Sequence, residues 1–261
     1  MNGRGAPGET TQLLANGWRV ERRQSVGSTN DEARRRALEG DSGRLWIVAQ
    51  EQTQGRGRRG RIWTSPPGNL YASALLIDPS PVAIAAQIGF VAGVALRGAV
   101  GDFGASDEVK LKWPNDLVWR GAKLAGLLVE GVSLNDGRLA CVVGIGVNCA
   151  NSPTGLAYPT DSLVNALERS ITPATLFERL AIHFEEALAV WRGGAGFAAI
   201  RAQWLTHAAG LGGPIRVAGA QGVRDGIFQT LDEQGRLVLS GANGPESVEA
   251  GDLFLIEPAR D

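Results

Sequence analysis

The chain has 261 residues, of which 44% are hydrophobic and 20% are charged, and its formal net charge is −1. This length and composition are typical of a globular protein that buries a core without disulfides or metal ions, as one large domain with or without a small appendage. The near-neutral charge gives no support to DNA, RNA or an anionic membrane as a partner of the whole surface.

The features that bear on the cellular compartment favour the cytoplasm. Residues 1–17 are polar and glycine-rich, contain no apolar segment of a signal peptide, and are predicted to form a flexible extension. The most apolar stretch, residues 81–100, carries Gln87 and Arg97 and is interpreted as a buried core helix rather than a membrane span. Cys141 and Cys149 lack metal-ligand spacing and are interpreted as structural thiols.

Hydrophobic periodicity and turn residues predict the elements of a first domain over residues 18–211. Strands are predicted at residues 18–27, 45–51, 70–77, 109–113, 124–132 and 139–147, and helices at 28–40, 81–100, from 173 onward and at 197–206. Thr29 and Glu32 fit a capping box at the start of the first helix. Asn135-Asp136-Gly137 predicts a hairpin turn between the last two strands.

The composition changes after Leu211-Gly212-Gly213-Pro214, where short strands begin. Runs at residues 215–219, 226–231, 236–240 and 247–257 predict a small β-barrel domain over residues 212–261. In the first domain, hairpins outnumber strand–helix–strand alternations. The predicted fold class is therefore α+β, with a mixed, mostly antiparallel sheet flanked by helices.

Residues 52–69 form a long segment without periodicity, and its four arginines are Arg56, Arg58, Arg59 and Arg61. The glycines match the dinucleotide pattern G-x-G-x-x-G, but Pro66-Pro67-Gly68 follows where that pattern requires a helix. What remains is a glycine-hinged loop whose guanidinium groups can clamp a carboxylate or a phosphate. Taken alone, the loop fits an arginine-rich RNA-binding tract equally well.

Three shorter segments could carry chemistry, and each has a plain structural alternative. Lys112-Trp113-Pro114-Asn115-Asp116 ends a strand and is predicted to present Asn115 and Asp116 at a turn, although Asn and Asp are also ordinary turn residues. Lys123 begins a strand and would be a fixed cation if it faced a cleft, although such lysines often only extend to solvent. Gly144-Ile145-Gly146-Val147-Asn148 places glycines in a strand, which often marks a close approach of backbone or ligand.

In this order and spacing, five segments resemble the motif series of the biotin protein ligases. The segments are Gly27-Ser28-Thr29-Asn30, Gln52 with residues 55–61, Lys112-Trp113-Pro114-Asn115-Asp116, Lys123-Leu124-Ala125-Gly126 and Gly144-Ile145-Gly146-Val147-Asn148. The resemblance runs from about residue 18 to the end. It implies a class II synthetase-like catalytic fold followed by an SH3-like barrel. The 17 residues before Trp18 are too few for the helix-turn-helix domain of repressor-type members, so no DNA-binding role is expected.

The resemblance implies a two-step reaction. Biotin and ATP would give biotinyl-adenylate and pyrophosphate, and biotin would then pass to a lysine of a biotin carboxyl carrier protein, the carrier of acetyl-CoA carboxylase. Magnesium would arrive with ATP, because no carboxylate cage is visible in the sequence. A homodimer is left open.

The resemblance also implies a set of site residues. Lys123 and Arg58 are expected to hold the reacting anions, Lys112 to contact phosphate, and Asp116 to orient the acceptor amine. The implied biotin-binding residues are Ser28, Thr29, Asn30, Gln52, Gly55, Arg56, Gly57, Arg58, Lys123, Gly126 and Gly144. The implied ATP-binding residues are Arg58, Arg61, Trp63, Lys112, Asn115 and Asn148.

Two other functions compete with this interpretation. A lipoate or octanoate ligase or transferase would share the catalytic fold, and ATP–pyrophosphate exchange with biotin against lipoate discriminates between them. An RNA-binding module would use residues 56–61 and the small barrel, and it predicts a steep dependence of affinity on salt.

Overall fold

The computed structural model describes residues 10–219, 222–241 and 244–256. Over these ranges the chain forms an eight-stranded sheet with helices packed on it and a separate five-stranded sheet at the C-terminal end. The strands of the large sheet are β1 Thr10–Leu13, β2 Arg19–Val26, β3 Leu45–Gln52, β4 Leu70–Ile77, β5 Val109–Lys112, β6 Asp116–Trp119, β7 Ala122–Ser133 and β8 Leu139–Val147. The helices are α1 Thr29–Leu38, α2 Ile88–Gly101, α3 Leu163–Ala166, α4 Pro173–Trp191 and α5 Phe197–Thr206.

The large sheet has the strand order β1-β2-β3-β4-β8-β7-β6-β5. Strands β2 and β3 run parallel and are connected through α1, whereas the other neighbours in the sheet are antiparallel. The predicted α+β class with a mixed, mostly antiparallel sheet is therefore confirmed. The hairpin turn at Asn135-Asp136-Gly137 is confirmed as well, with Gly137 in the left-handed region at φ +85°.

Two parts of the sheet differ from the sequence prediction. Thr10–Leu13, predicted to belong to a flexible extension, forms the edge strand β1, because its backbone pairs antiparallel with residues 19–22 of β2. The rest of that predicted extension before Thr10 lies outside the described residues. Asp116, predicted to lie in a turn, is the first residue of β6 and pairs with Lys112 across a hairpin. The hairpin turn contains a cis peptide bond between Trp113 and Pro114.

The start of α1 also corrects a sequence prediction. The N-cap is Ser28 rather than Thr29, and the Ser28 side chain accepts a hydrogen bond from the backbone N–H of Asp31. Thr29 is the first helical residue, and its hydroxyl contacts Gln52 instead of capping the helix.

The apolar stretch at residues 81–100 is a core helix, as its Ala-rich sequence predicts. A 3-10 turn over Val82–Gln87 leads into α2, and Val91, Leu96 and Val100 of α2 are fully buried. Val82–Gly101 is long and apolar enough to cross a membrane by length and composition alone. In the fold, however, α2 packs against α4, α5 and the large sheet, so its apolar surface is covered by protein.

A cluster of four aromatic side chains joins α4 to the large sheet. Trp46 lies with its ring centroid 5.2 Å from Phe184 and 5.5 Å from Phe177, in edge-to-face geometry, and Trp18 lies 5.9 Å from Phe184. Because Phe177 and Phe184 are seven residues apart, they face the sheet from the same side of α4.

The C-terminal sheet contains β9 Pro214–Gly219, β10 Gly222–Leu231, β11 Leu237–Gly241, β12 Gly244–Val248 and β13 Asp252–Leu255, in the order β12-β11-β10-β9-β13. Residues 247–257 were predicted as one strand, and this was wrong. The bend at residues 249–251 lets β12 pair with β11 and β13 pair with β9, at opposite edges of the sheet. The indole N–H of Trp113 donates to the carbonyl of Gly235 at 3.2 Å, which ties this sheet to the first domain.

The N-cap of α4 generates a stability prediction. Thr172 accepts a hydrogen bond from the backbone N–H of Thr175 at 3.1 Å. We expect Thr172→Ala to lower the free energy of unfolding by about 1 kcal/mol, because that N–H loses its partner. The matched control is Thr206→Ala at the end of α5, which is expected to change it by less than about 0.5 kcal/mol. Urea unfolding measures both, and equal losses would contradict the capping assignment.

Candidate active site

A cavity of about 950 Å³ lies between the large sheet and the C-terminal sheet. Its walls come from the start of α1, the loop over residues 53–65 (below, the arginine loop), the segment from β5 to β8, and strand β13. Segments far apart in the sequence therefore meet around one space.

The floor of the cavity consists of glycine backbone. Gly126 of β7 pairs with Gly146 of β8, and Gly144 lies two residues before Gly146 on β8. A Cβ placed on Gly146 would lie 2.6 Å from the indole nitrogen of Trp63, and one on Gly144 would overlap Oδ1 of Asn30. Only glycine permits these two side chains to lie directly on the sheet.

One end of the cavity is lined by neutral polar groups. Gln52 accepts hydrogen bonds through Oε1 from the backbone N–H of Thr29 at 2.8 Å and from its hydroxyl at 3.0 Å. The Gln52 amide donates to Ser65 Oγ at 3.0 Å. These contacts hold a hydroxyl and an amide side by side against the cavity, a pairing suited to an uncharged polar head group.

The other end is cationic. Lys123 Nζ lies 2.7 Å from Oδ1 of Asp116 and 5.3 Å from the centroid of the Trp63 ring. Tyr158 covers the same ammonium from a second side, with its ring centroid at 5.7 Å. Burial lowers the pKa of Lys112 below its usual value, and the nearby positive charge of Lys123 lowers it further, whereas Asp116 opposes the shift.

The arginine loop is held against the C-terminal sheet by one carboxylate. Asp252 of β13 lies 2.9 Å from Arg61, 3.3 Å from Arg59 and 3.8 Å from Arg58. Burial raises the pKa of Asp252, but the hydrogen bond from Arg61 and the three positive charges outweigh burial and lower it overall. Since three guanidinium groups share one carboxylate, the loop keeps a net positive charge beside the cavity.

Arg58 is the least exposed of the four loop arginines, and it lines the cavity. It donates to Asn115 Oδ1 at 3.2 Å and to the carbonyl oxygen of Gly251 at 3.3 Å, and burial lowers its pKa. Arg59 adopts a left-handed backbone at φ 57°, which turns the loop at that residue. The site can thus present several cations to an anionic group while keeping them apart.

Arg56 has a different environment from the other loop arginines. Its guanidinium forms two hydrogen bonds of 2.6 Å with the carboxylate of Asp31 in α1, and it lies 3.8 Å from Glu130 of β7. This bidentate pair connects the loop to the first turn of α1.

The structure brings together all but two of the sequence-predicted site residues. Around the cavity lie Ser28, Thr29, Asn30, Gln52, Arg56, Gly57, Arg58, Arg61, Trp63, Lys112, Asn115, Asp116, Lys123, Gly126 and Gly144. Gly55 stands behind this wall, where a Cβ would overlap the carbonyl oxygen of Trp63. Asn148 is buried beside a smaller adjoining cavity, and its amide donates to the carbonyl of Asp161 at 3.1 Å.

Among the side chains near the cavity that sequence reasoning missed are four that contact predicted site residues. Asp252 follows the arginine loop by about 190 residues, and its neighbours have no pattern that indicates a contact with arginines. Tyr158 lies in an irregular segment, and Asp31 and Glu130 look like ordinary solvent-facing carboxylates in a helix and a strand. Only Asp31 had a usable signal, because it lies one residue after the Ser28-Thr29-Asn30 motif.

Two family models match the chain. The biotin/lipoate A/B protein ligase family matches residues 20–148, and the biotin protein ligase C-terminal domain matches residues 210–255. Together with a relative that is 39% identical and is covered over 96% of its own length, they show that the chain belongs to the biotin protein ligase family.

Among its relatives, the chain is 39% identical to the biotin--[acetyl-CoA-carboxylase] ligase of Paracoccus denitrificans, over 87% of this chain and 96% of that protein. It is 31% identical to the ligase of the same name from Mycobacterium tuberculosis, over 91% of this chain and 89% of that protein. Among solved structures, the biotin protein ligase of Aquifex aeolicus in complex with biotin and ATP superposes with a TM-score of 0.77. That match has 25% identity and covers 92% of this chain and 99% of the other.

The glycine floor generates a prediction on ligand binding. In Gly144→Ala the new methyl group would displace the Asn30 side chain, which lies over β8, because the added Cβ and Asn30 Oδ1 cannot share that space. We expect at least a tenfold loss of biotin affinity by calorimetry, about 1.4 kcal/mol. Gly131→Ala in β7, where a Cβ would meet its nearest neighbour at 3.5 Å, is the matched control. Wild-type affinity in Gly144→Ala would show that the close approach is not needed.

Proposed function

We propose that this protein is an ATP-dependent biotin protein ligase, which forms biotinyl-adenylate and transfers biotin to a lysine of a biotin carboxyl carrier protein. One observation carries the proposal. A single cavity joins a neutral polar end at Thr29 and Gln52 to a cationic end at Lys123 and Arg58, across a glycine floor. Such a cavity suits a ligand with an uncharged polar head, a slender chain and a carboxylate.

The first step joins two anionic groups. The carboxylate attacks the α-phosphorus of ATP, a carboxyl oxygen–phosphorus bond forms, and pyrophosphate leaves with the electron pair of the broken bond. Lys123 is assigned to the carboxylate and then to the acyl-phosphate oxygens, while Arg56 and Arg58 of the arginine loop exclude water. Lys112 and Asn115 are assigned to the phosphates and to the magnesium ion that accompanies ATP. Among the described residues, no cluster of three His, Cys, Asp or Glu side chains could hold a resident metal ion.

The second step is attack of a carrier lysine on the acyl carbon, with AMP as the leaving group. A free lysine amine has a pKa of about 10.4, so it must lose a proton before it attacks at neutral pH. Asp116 is assigned to orient that amine or to accept its proton. Its pairing with Lys123 at 2.7 Å supports the assignment, because the two side chains would face the same acyl phosphate.

The remaining parts of the proposal concern organisation. We divide the chain near residue 212 into a catalytic domain and a small C-terminal domain, because the second sheet begins at Pro214. The acceptor is the carrier of acetyl-CoA carboxylase, as the relatives' names suggest, and the enzyme acts in the cytoplasm.

The decisive test compares biotin with lipoate. ATP–pyrophosphate exchange with magnesium is expected to depend on biotin and to stay near background with lipoate. Addition of a biotin carboxyl carrier domain should then raise its mass by one biotinyl group on one lysine. Exchange that responds to lipoate and not to biotin would replace the proposal with a lipoate ligase.

Removal of the fixed cation tests the catalytic assignment. We expect Lys123→Ala to reduce biotin-dependent exchange by at least about a hundredfold, because the developing negative charge loses its nearest counter-charge. Arg138→Ala, which removes an exposed cation in the β7–β8 hairpin, is the control with near wild-type exchange. If Lys123→Ala retains normal exchange at normal stability, Lys123 does not belong to the reacting centre.

A further inference from the structure

Behind the polar end of the cavity, four side-chain oxygens form a continuous row. Gln52 Oε1 lies 3.0 Å from Thr29 Oγ1, Thr29 Oγ1 lies 2.7 Å from Ser73 Oγ, and Ser73 Oγ lies 2.6 Å from Asn30 Oδ1. Thr29, Asn30 and Gln52 line the cavity, whereas Ser73 is fully buried in β4 behind them. Sequence reasoning gave no role to Ser73.

The row has fewer protons than contacts. Each hydroxyl carries one proton, so Thr29 and Ser73 supply two protons for three oxygen–oxygen contacts. Rotation of a terminal amide would supply a third, because its NH₂ would then face the row. The orientation of both terminal amides therefore decides what the row can bind.

Contacts outside the row fix both amides. Glu130 accepts from Nδ2 of Asn30 at 2.6 Å, so rotation of Asn30 would point its carbonyl oxygen at a carboxylate. At the other end, the backbone N–H of Thr29 donates to Gln52 Oε1 at 2.8 Å, and Ser65 accepts from Gln52 Nε2. Neither amide can turn its NH₂ toward the row without losing these bonds.

A row that is short of protons has a preference among ligands. A ligand carbonyl that accepted from Thr29 would withdraw a proton from the row and leave a second contact without one. A ligand N–H takes no proton from the row and places the partial positive charge of its hydrogen beside the crowded oxygens. The polar end therefore favours head groups that donate.

We infer that Ser73 and Glu130 are positioning residues, which keep this row oriented as acceptors so that the cavity selects a head group that donates N–H hydrogen bonds. The inference rests on the proposed function and deepens it. The cyclic urea of biotin carries two N–H donors, whereas the dithiolane ring of lipoate carries none. Selection of substrate then depends on two residues that stand behind or beside the binding groups.

The test measures biotin-dependent ATP–pyrophosphate exchange for Ser73→Ala and Glu130→Gln. Desthiobiotin, which keeps the cyclic urea but lacks the ring sulfur, is the second substrate. We expect Ser73→Ala to raise KM for both compounds about tenfold, because Thr29 and Asn30 lose the buried hydroxyl that both contact. We expect Glu130→Gln to raise it about threefold, because a neutral amide at position 130 lets Asn30 adopt either orientation. In both variants KM for the urea compounds should rise, whereas kcat and KM for ATP should stay at their wild-type values.

Two control variants make the same substitutions, Ser→Ala and Glu→Gln, at residues outside the row. Ser80→Ala removes a buried hydroxyl that contacts the carbonyl of Pro81. Glu185→Gln changes a carboxylate that accepts from Trp18 and Arg44, far from the cavity. The side chain of Glu185 is 32% exposed, close to the 35% of Glu130. Both are expected to keep the wild-type KM for biotin.

The outcomes separate the inference from the function on which it rests. A wild-type protein that does not exchange with biotin overturns the proposed function. An active wild type combined with an unchanged KM in Ser73→Ala overturns the inference. If kcat and the unfolding temperature fall and KM for ATP rises together with KM for biotin, Ser73 and Glu130 have a structural role. That result would overturn the inference as well.

Discussion

The site depends on one steric constraint, the close approach of two side chains to bare backbone on β7 and β8. Asn30 and Trp63 lie where any Cβ on Gly144 or Gly146 would stand, and a Cβ on Gly126 of the paired strand would lie 3.1 Å from the Trp63 ring. Because these glycines lie in the middle of a paired sheet, the backbone beneath the two side chains cannot move away. The sheet acts as a rigid surface on which α1 and the arginine loop are positioned.

Electrostatics determine the second half of the arrangement. The arginine loop places several positive charges together, and such a loop would repel itself without carboxylates beside it. Asp31 in α1 pairs with Arg56, and Asp252 in β13 pairs with Arg59 and Arg61. The loop is thereby connected to the first helix and to the C-terminal sheet. Arg58, whose nearest carboxylate oxygen is 3.8 Å away, stays directed toward Asn115 and the cavity.

The local elements could be predicted because they depend on short-range patterns. The strands at residues 70–77 and 139–147, the helix from Pro173 and the hairpin at Asn135-Asp136-Gly137 follow from hydrophobic period, proline position and turn chemistry. The errors arose where tertiary pairing determined the backbone. Strand β1 is exposed and exists only because β2 offers an edge. The segment predicted as one strand from residue 247 is divided because its two halves pair with different strands.

The sequence by itself determined which residues gather at the site, since most of the predicted binding and catalytic side chains line one cavity. Glycine spacing, a strand-initiating lysine and a turn of fixed composition are local features, so they can be recognised in the sequence itself. Only the tertiary structure decided how these groups are paired and oriented. Asp252, Glu130 and Ser73 meet the motif residues across long separations in the chain, and hydrogen-bond direction depends on those distant partners.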